Sequence, residues 1–245
     1  MNNYDPDSLR AALPDWVPEC RYLARTDSTN RQAMDWALQG APHGSVVLAD
    51  FQTAGRGRLG REWTAPAGSS LLFSIVLRPQ IDPERRPLLT LAAGVAVCGC
   101  LAGLGFEPEL KWPNDVLLAG RKVAGILAEA NGEVVILGIG INTGRVEFPE
   151  HLAGSAISLE ASSGRACSRL ELLSNLIEHL AREVDGPADE VVDRYRRWSS
   201  TPGRRVRVDL GSGPLEDLAV DIDPGGGLVL AGGQVVRAGD VLQLR

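Results

Sequence analysis

Apolar and polar positions along the chain predict strands and helices in alternation, not one class alone. Arg21 to Arg25 reads as a short strand, and Ser45 to Phe51 (SVVLADF) and Leu71 to Leu77 (LLFSIVL) read as buried ones. Between the first two, the polar cluster Asp27-Ser28-Thr29-Asn30 precedes RQAMDWALQ, where Met34, Ala37 and Leu38 share one face and Gly40 is a stop signal. This predicts a capped helix. Residues 5 to 13 suit a short helix. Leu88 to Leu104 is apolar and rich in small residues, which suits a helix packed on a sheet. Its seventeen residues include Gly94, Gly99 and Gly103 and do not read as a membrane span.

Four strand-like runs follow, Glu109 to Trp112, Val116 to Leu118, Val123 to Ala130 and Val134 to Ile141, separated by Pro113-Asn114, Ala119-Gly120 and Asn131-Gly132. The expectation is an antiparallel meander, with Asn131-Gly132 forming a type I′ turn. Leu170 to Glu183 and Glu190 to Trp198 are amphipathic, with Leu173, Leu176, Ile177 and Leu180 lining the first. Pro202-Gly203 marks a boundary. Beyond it RRVRVDL, LAVDID, GLVLAG, QVVRAGD and VLQLR have the spacing of a small SH3-like β-barrel. That stretch is short for an independent core, so it should pack on the larger unit. The expected organisation is α+β, a mixed or antiparallel sheet with helices over residues 1–200 and the barrel over 203–245.

Composition narrows the partners. With 44% hydrophobic and 23% charged residues the chain is globular, and a net charge of −6 argues against holding nucleic acid by bulk electrostatics. The N-terminus has no charged segment followed by an apolar one, so a soluble, cytoplasmic protein is expected, with no membrane partner. Cys20, Cys98, Cys100 and Cys167 lack metal-site spacing and read as free thiols, and His43, His151 and His179 are scattered. No metal ligands can be named. Of 25 basic residues only Lys111 and Lys122 are lysine, and both fall within twelve positions. Positions that keep an ammonium where arginine is otherwise used point to chemistry.

The segment Gly55 to Trp63, GRGRLGREW, reads as an anion clamp. Glycines allow close backbone approach and arginines offer paired donors to carboxylate or phosphate. GRGRLG fits G-x-G-x-x-G after a strand, but no helix follows, because Pro66 and Gly68 intervene before the next strand. It also has the glycine spacing of a Walker A loop, without the lysine and the hydroxyl that such a loop needs. A single RGG-like copy in an acidic folded chain is a weak nucleic-acid signal. A phosphate or carboxylate clamp on an antiparallel scaffold remains. Two further features accompany it. Ser28, Thr29 and Asn30 supply more polar groups than one helix cap uses, and KWPNDVLLAGRKVAGIL, residues 111 to 127, brings both lysines, Asn114, Asp115 and Gly125 together. Lys111 is a candidate either to pair with Asp115 or to pin the loop.

TDSTN (26 to 30), FQTAGRGRLGREW (51 to 63), KWPNDVLLAGRKVAGIL (111 to 127) and LGIGINT (137 to 143) occur here in the order and spacing of biotin protein ligases, also called holocarboxylase synthetases. The chain resembles that family over about residues 20 to 245, and resembles its monofunctional members, since nothing before Arg21 has room for a winged helix-turn-helix. The resemblance implies a core like that of class II aminoacyl-tRNA synthetases and a two-step reaction. Biotin and MgATP give biotinyl-5′-AMP, and a lysine of a biotin carboxyl carrier domain then takes the biotinyl group. It also implies roles. Arg56, Arg58 and Lys122 would be catalytic. Ser28, Thr29, Asn30, Gln52, Arg56, Gly57, Arg58, Lys122 and Gly125 would bind biotin, with Ser28, Thr29 and Gln52 on its urea head group. Arg58, Arg61, Trp63, Asn114, Asp115 and Asn142 would bind ATP. The expected partner is the carrier protein and not DNA, and the chain would be a monomer or a homodimer. A lipoate or octanoate ligase and a biotin-sensing protein without turnover are the alternatives.

Overall fold

The computed structural model describes residues 4–209, 213–237 and 239–244. The elements run in the order α1 (Pro6–Ala12), β1 (Cys20–Leu23), α2 (Thr29–Leu38), β2 (Val46–Ala49), β3 (Ser70–Leu77), α3 (Pro87–Gly103), β4 (Pro108–Lys111), β5 (Asp115–Leu118), β6 (Arg121–Asn131) and β7 (Val134–Asn142). Four helices follow, α4 (Glu150–Ala153), α5 (Leu159–Ser163), α6 (Arg169–Val184) and α7 (Ala188–Trp198), and then five strands, β8 (Arg205–Asp209), β9 (Pro214–Ile222), β10 (Leu228–Leu230), β11 (Val235–Val236) and β12 (Asp240–Gln243). Three residues of the expected C-terminal strands, Leu210, Ala238 and Arg245, lie outside the described residues.

The large sheet has the order β1-β2-β3-β7-β6-β5-β4 and is antiparallel except for the β1–β2 pair. The expected meander is therefore present as β4 to β7. Its turns differ from the expectation. Asn131 still belongs to β6, and Gly132 (φ 57°) with Glu133 forms the two-residue connection, so the positive φ sits at the first central residue, as in a type II′ turn. The connection with positive φ at both centres is Ala119-Gly120, at 48° and 72°, which is the type I′ pattern.

Alternate residues along a strand face opposite sides, and the register assigns a different role to each side of this sheet. On one, Leu71, Phe73, Ile75 and Leu77 of β3 and Leu137, Ile139 and Ile141 of β7 are buried with α3, α6 and α7 in one core. On the other, Val47, Val76 and Ile136 pack under Ala33, Trp36 and Ala37 of α2 in a smaller cluster, which leaves the rest of that face uncovered by helix. Helical residues 83–103 form a stretch of length and apolarity sufficient for a membrane span by composition, longer than the sequence run suggested. Two thirds of its most apolar part (67%) is buried inside this fold, the behaviour of a core helix. The C-terminal strands form a five-stranded sheet, β11-β10-β9-β8-β12, whose Val206, Val208, Ile222 and Leu228 join the main core. Trp112 ties the two sheets together: its Nε1 donates to the Gly226 carbonyl at 2.9 Å and its backbone N–H to Thr201 Oγ1 at 2.9 Å.

Candidate functional site

The uncovered half of the α2 face is a cavity, and the strand register explains its floor. Gly125 of β6 lies directly opposite Gly140 of β7, and Gly138 is two residues further along on the same side. Three adjacent positions without side chains expose bare backbone. The room is needed: a Cβ on Gly138 would lie 2.0 Å from Asn30 Oδ1, and one on Gly140 would lie 2.7 Å from Trp63 Cε2.

The N-terminus of α2 forms one wall. Ser28 is its N-cap residue and makes no side-chain cap hydrogen bond, while its backbone N–H donates to the Asp27 carboxylate at 2.6 Å. That leaves the Ser28 hydroxyl on the cavity. Thr29 donates from its backbone N–H (2.7 Å) and its hydroxyl (3.0 Å) to Gln52 Oε1, which turns the Gln52 amide nitrogen to the other side. Ser74 Oγ lies 2.8 Å from Thr29 Oγ1 and donates to Asn30 Oδ1 at 2.6 Å. Asn30 Nδ2 in turn donates to Glu129 at 2.8 Å. Asn30 therefore serves the wall internally, with its carbonyl and amide both engaged.

The glycine-arginine segment closes over the cavity as a narrow hairpin. The Gly55 carbonyl accepts from Trp63 N–H at 3.0 Å and Gly57 N–H donates to the Arg61 carbonyl at 2.7 Å. A Cβ on Gly55 would lie 2.3 Å from the Trp63 carbonyl oxygen, so this close approach requires glycine. At the tip, Leu59 is 69% exposed with φ of 55°. Trp63 turns inward and lies on the Gly125–Gly140 floor, its indole nitrogen buried and, among the described residues, without a hydrogen-bond partner. With the indole there, about 90 Å³ of cavity is free, against roughly 300 Å³ or more in sites for ligands of drug size.

The cations are held in place by named partners. Arg56 pairs with Glu129 at 2.9 Å, Lys122 with Asp115 at 2.6 Å, and Arg58 donates to Asn114 Oδ1 and to the Gly239 carbonyl of the C-terminal sheet, both at 3.2 Å. Burial lowers the Arg58 pKa, and the Asp115 carboxylate counters it. The Lys122 ammonium sits 5.6 Å from the Trp63 ring centre, a cation–π contact. Asp115 pairs with Lys122, and Lys111 is its cross-strand neighbour in the β4–β5 hairpin. Lys111 stands beside the site, where burial lowers its pKa and Asp115 partly offsets this.

Ser28, Thr29, Asn30, Gln52, Arg56, Gly57, Arg58, Arg61, Trp63, Asn114, Asp115, Lys122 and Gly125 all line this one cavity. Asn142 does not. It is 5% exposed, and its amide is engaged by Ser70 Oγ at 3.4 Å and the Ile157 carbonyl at 3.2 Å, which places it outside the lining. Residues that the sequence reading missed are Gly138 and Gly140 in the floor and Glu129 behind Arg56. The signal for the glycines was their period-2 spacing in LGIGIN, which places both on one face.

Comparison with known proteins gives a consistent answer. Residues 22–144 match the biotin/lipoate A/B protein ligase family. The chain is 40% identical to the biotin–[acetyl-CoA-carboxylase] ligase of Mycobacterium tuberculosis over 98% of this chain and 94% of that one. It is 37% identical to the ligase of the same name from Paracoccus denitrificans, over 89% and 98%. Among solved structures it resembles biotin protein ligase from Aquifex aeolicus in complex with biotin and ATP, with a TM-score of 0.81, 29% identity and coverage of 93% and 99%.

Proposed function

The chain belongs to the biotin protein ligases of the biotin/lipoate A/B protein ligase family, and from that premise we propose how its cavity joins biotin to a carrier lysine. One observation carries the reading: thirteen of the fourteen residues expected to handle biotin or ATP converge on a single glycine-floored pocket that offers neutral hydrogen-bonding groups on one wall and cations on the other.

The two walls suit the two ends of a biotinyl adenylate. Ser28 Oγ and the Gln52 amide nitrogen face a neutral donor–acceptor edge such as the biotin urea, while Arg56, Arg58, Arg61 and Lys122 face the acyl and phosphate end. In the first step a biotin carboxylate oxygen attacks the α-phosphorus of MgATP, the bond to the β-phosphate bridging oxygen breaks, and pyrophosphate leaves. Two anions must be brought together, so fixed cations offset the repulsion and follow charge onto the α-phosphoryl oxygens. Mg²⁺ enters with the ATP phosphates, which supply most of its ligands. In the second step the ε-amine of the carrier lysine attacks the acyl carbon, AMP leaves with the anhydride oxygen, and the amine gives up its proton. Closure of residues 55–63 over the adenylate would exclude water from this hydrolysable anhydride.

Residues 1–200 then form the catalytic domain, related to class II aminoacyl-tRNA synthetases, and 203–245 an SH3-like barrel that reaches the pocket through the Arg58–Gly239 contact. The reaction partner is a biotin carboxyl carrier domain, the location cytoplasmic, and the assembly a monomer or homodimer. The test is transfer: a purified carrier domain incubated with chain, biotin and MgATP gains one biotinyl group by mass. ATP–pyrophosphate exchange driven by lipoate or octanoate, and not by biotin, would favour the related ligases.

A further inference from the structure

Glu129 stands outside the cavity lining yet holds two of its walls. Its Oε2 accepts from Asn30 Nδ2 at 2.8 Å, and its Oε1 pairs with Arg56 Nη1 at 2.9 Å. Beyond Asn30 the polar contacts run on to Ser74, whose Oγ donates to Asn30 Oδ1 and lies 2.8 Å from Thr29 Oγ1, and to Gln52, which accepts from the Thr29 backbone N–H at 2.7 Å. The chain therefore crosses the floor and meets the 52–63 segment twice, at Gln52 before the first glycine and at Arg56 after it. Side chains at 125, 127 and 129 share a face of β6, so Glu129 continues the line of the Gly125 floor. It is 26% exposed and Arg56 48% exposed, so the pair is wet enough for a ligand anion to reach the guanidinium. One of five N–H donors on Arg56 goes to Glu129, which leaves others directed elsewhere.

We propose that Glu129 is a positioning residue for the proposed biotin activation: it fixes the Arg56 guanidinium against the rigid α2 wall, so that the arginine meets the biotin carboxylate already oriented. A long side chain on a glycine-rich hairpin otherwise loses rotamer freedom when it binds, and a fixed carboxylate removes part of that loss before substrate arrives. Gln has the same shape but a donor on one arm. In Glu129→Gln either Asn30 or Arg56 faces an N–H instead of an acceptor.

The inference rests on the ligase reading, and a double-mutant cycle separates the two. Biotin-dependent ATP–pyrophosphate exchange is measured for wild type, Glu129→Gln, Arg56→Ala and the double variant. The expected result is a rise of about tenfold in KM for biotin in Glu129→Gln with kcat changed less than about threefold, and less than about twofold further effect in the Arg56→Ala background. A merely structural role would lower the urea midpoint and would persist when Arg56 is absent. Effects that multiply across the two sites, or a KM that stays at the wild-type value, overturn the role of Glu129. Absence of exchange by the wild type overturns the ligase reading itself.

Discussion

Gly138→Ala tests the site's architecture most sharply, because the added methyl has nowhere to go. Its Cβ would lie 2.0 Å from Asn30 Oδ1, 2.8 Å from Cγ and 3.1 Å from Nδ2, so no small shift relieves all three contacts. Asn30 cannot swing away cheaply. It is 5% exposed and held by Ser74 at 2.6 Å and by Glu129 at 2.8 Å. Overpacking a tight interior costs about 1–3 kcal/mol. Losing the neutral bond adds about 1 kcal/mol and the charge-assisted bond about 1.5 kcal/mol or more. The sum, about 3.5–5.5 kcal/mol, is a large share of the roughly 5–15 kcal/mol that holds a domain folded. In urea, with a slope of about 3 kcal/mol/M, the midpoint should fall by at least about 1 M with the slope unchanged. The companion Asn30→Ala/Gly138→Ala should lose much less than the sum of its single effects, because the clash has gone. A Gly138→Ala midpoint within about 0.2 M of wild type, about 0.5 kcal/mol at that slope, would show that Asn30 does not sit over Gly138.

Two further outcomes follow from the hairpin and the lysine. Trypsin cleavage after Arg56, Arg58 and Arg61, around the exposed Leu59 tip, should slow several-fold with biotin plus MgATP, and equal cleavage with and without them would rule out closure on ligand. Lys122→Arg should lose at least about tenfold in pyrophosphate exchange, about 1.4 kcal/mol. The Lys122 ammonium fits between Asp115, the Trp63 ring and the glycine floor, where the broad arginine fork does not. Exchange at the wild-type rate would mean that the scarcity of lysine in this chain carried no functional information.

Much of the fold was legible because its elements carry one clear period. The buried strands β2 and β3, the meander β4 to β7 and the amphipathic α6 and α7 all lie where the apolar pattern placed them, within a few residues. The turn geometry was not legible. Asn131-Gly132 signals a type I′ turn by local preference, but the register of β6 with β7 places Asn131 in the ladder and leaves Gly132-Glu133 as the turn. The same limit applies to the site. Glycines, arginines and N-cap residues announce themselves by type and spacing, so Arg56, Lys122 and Ser28 could be named from the sequence. Asn142 was named from its neighbourhood in a motif, yet its amide is occupied by Ser70 and Ile157. Glu129 was missed for the opposite reason: a single carboxylate in a strand looks like a solvated residue until the fold brings Asn30, ninety-nine positions away, within 2.8 Å.

The central claim is that this pocket activates biotin and hands it to a protein lysine. It is tested most directly by incubating the purified chain with biotin, MgATP and a biotin carboxyl carrier domain and weighing the carrier. The expected product carries one biotinyl group on one lysine, dependent on both biotin and ATP and lost when the carrier lysine is replaced by arginine. A carrier of unchanged mass, from a chain shown to be folded and supplied with both substrates, would contradict it.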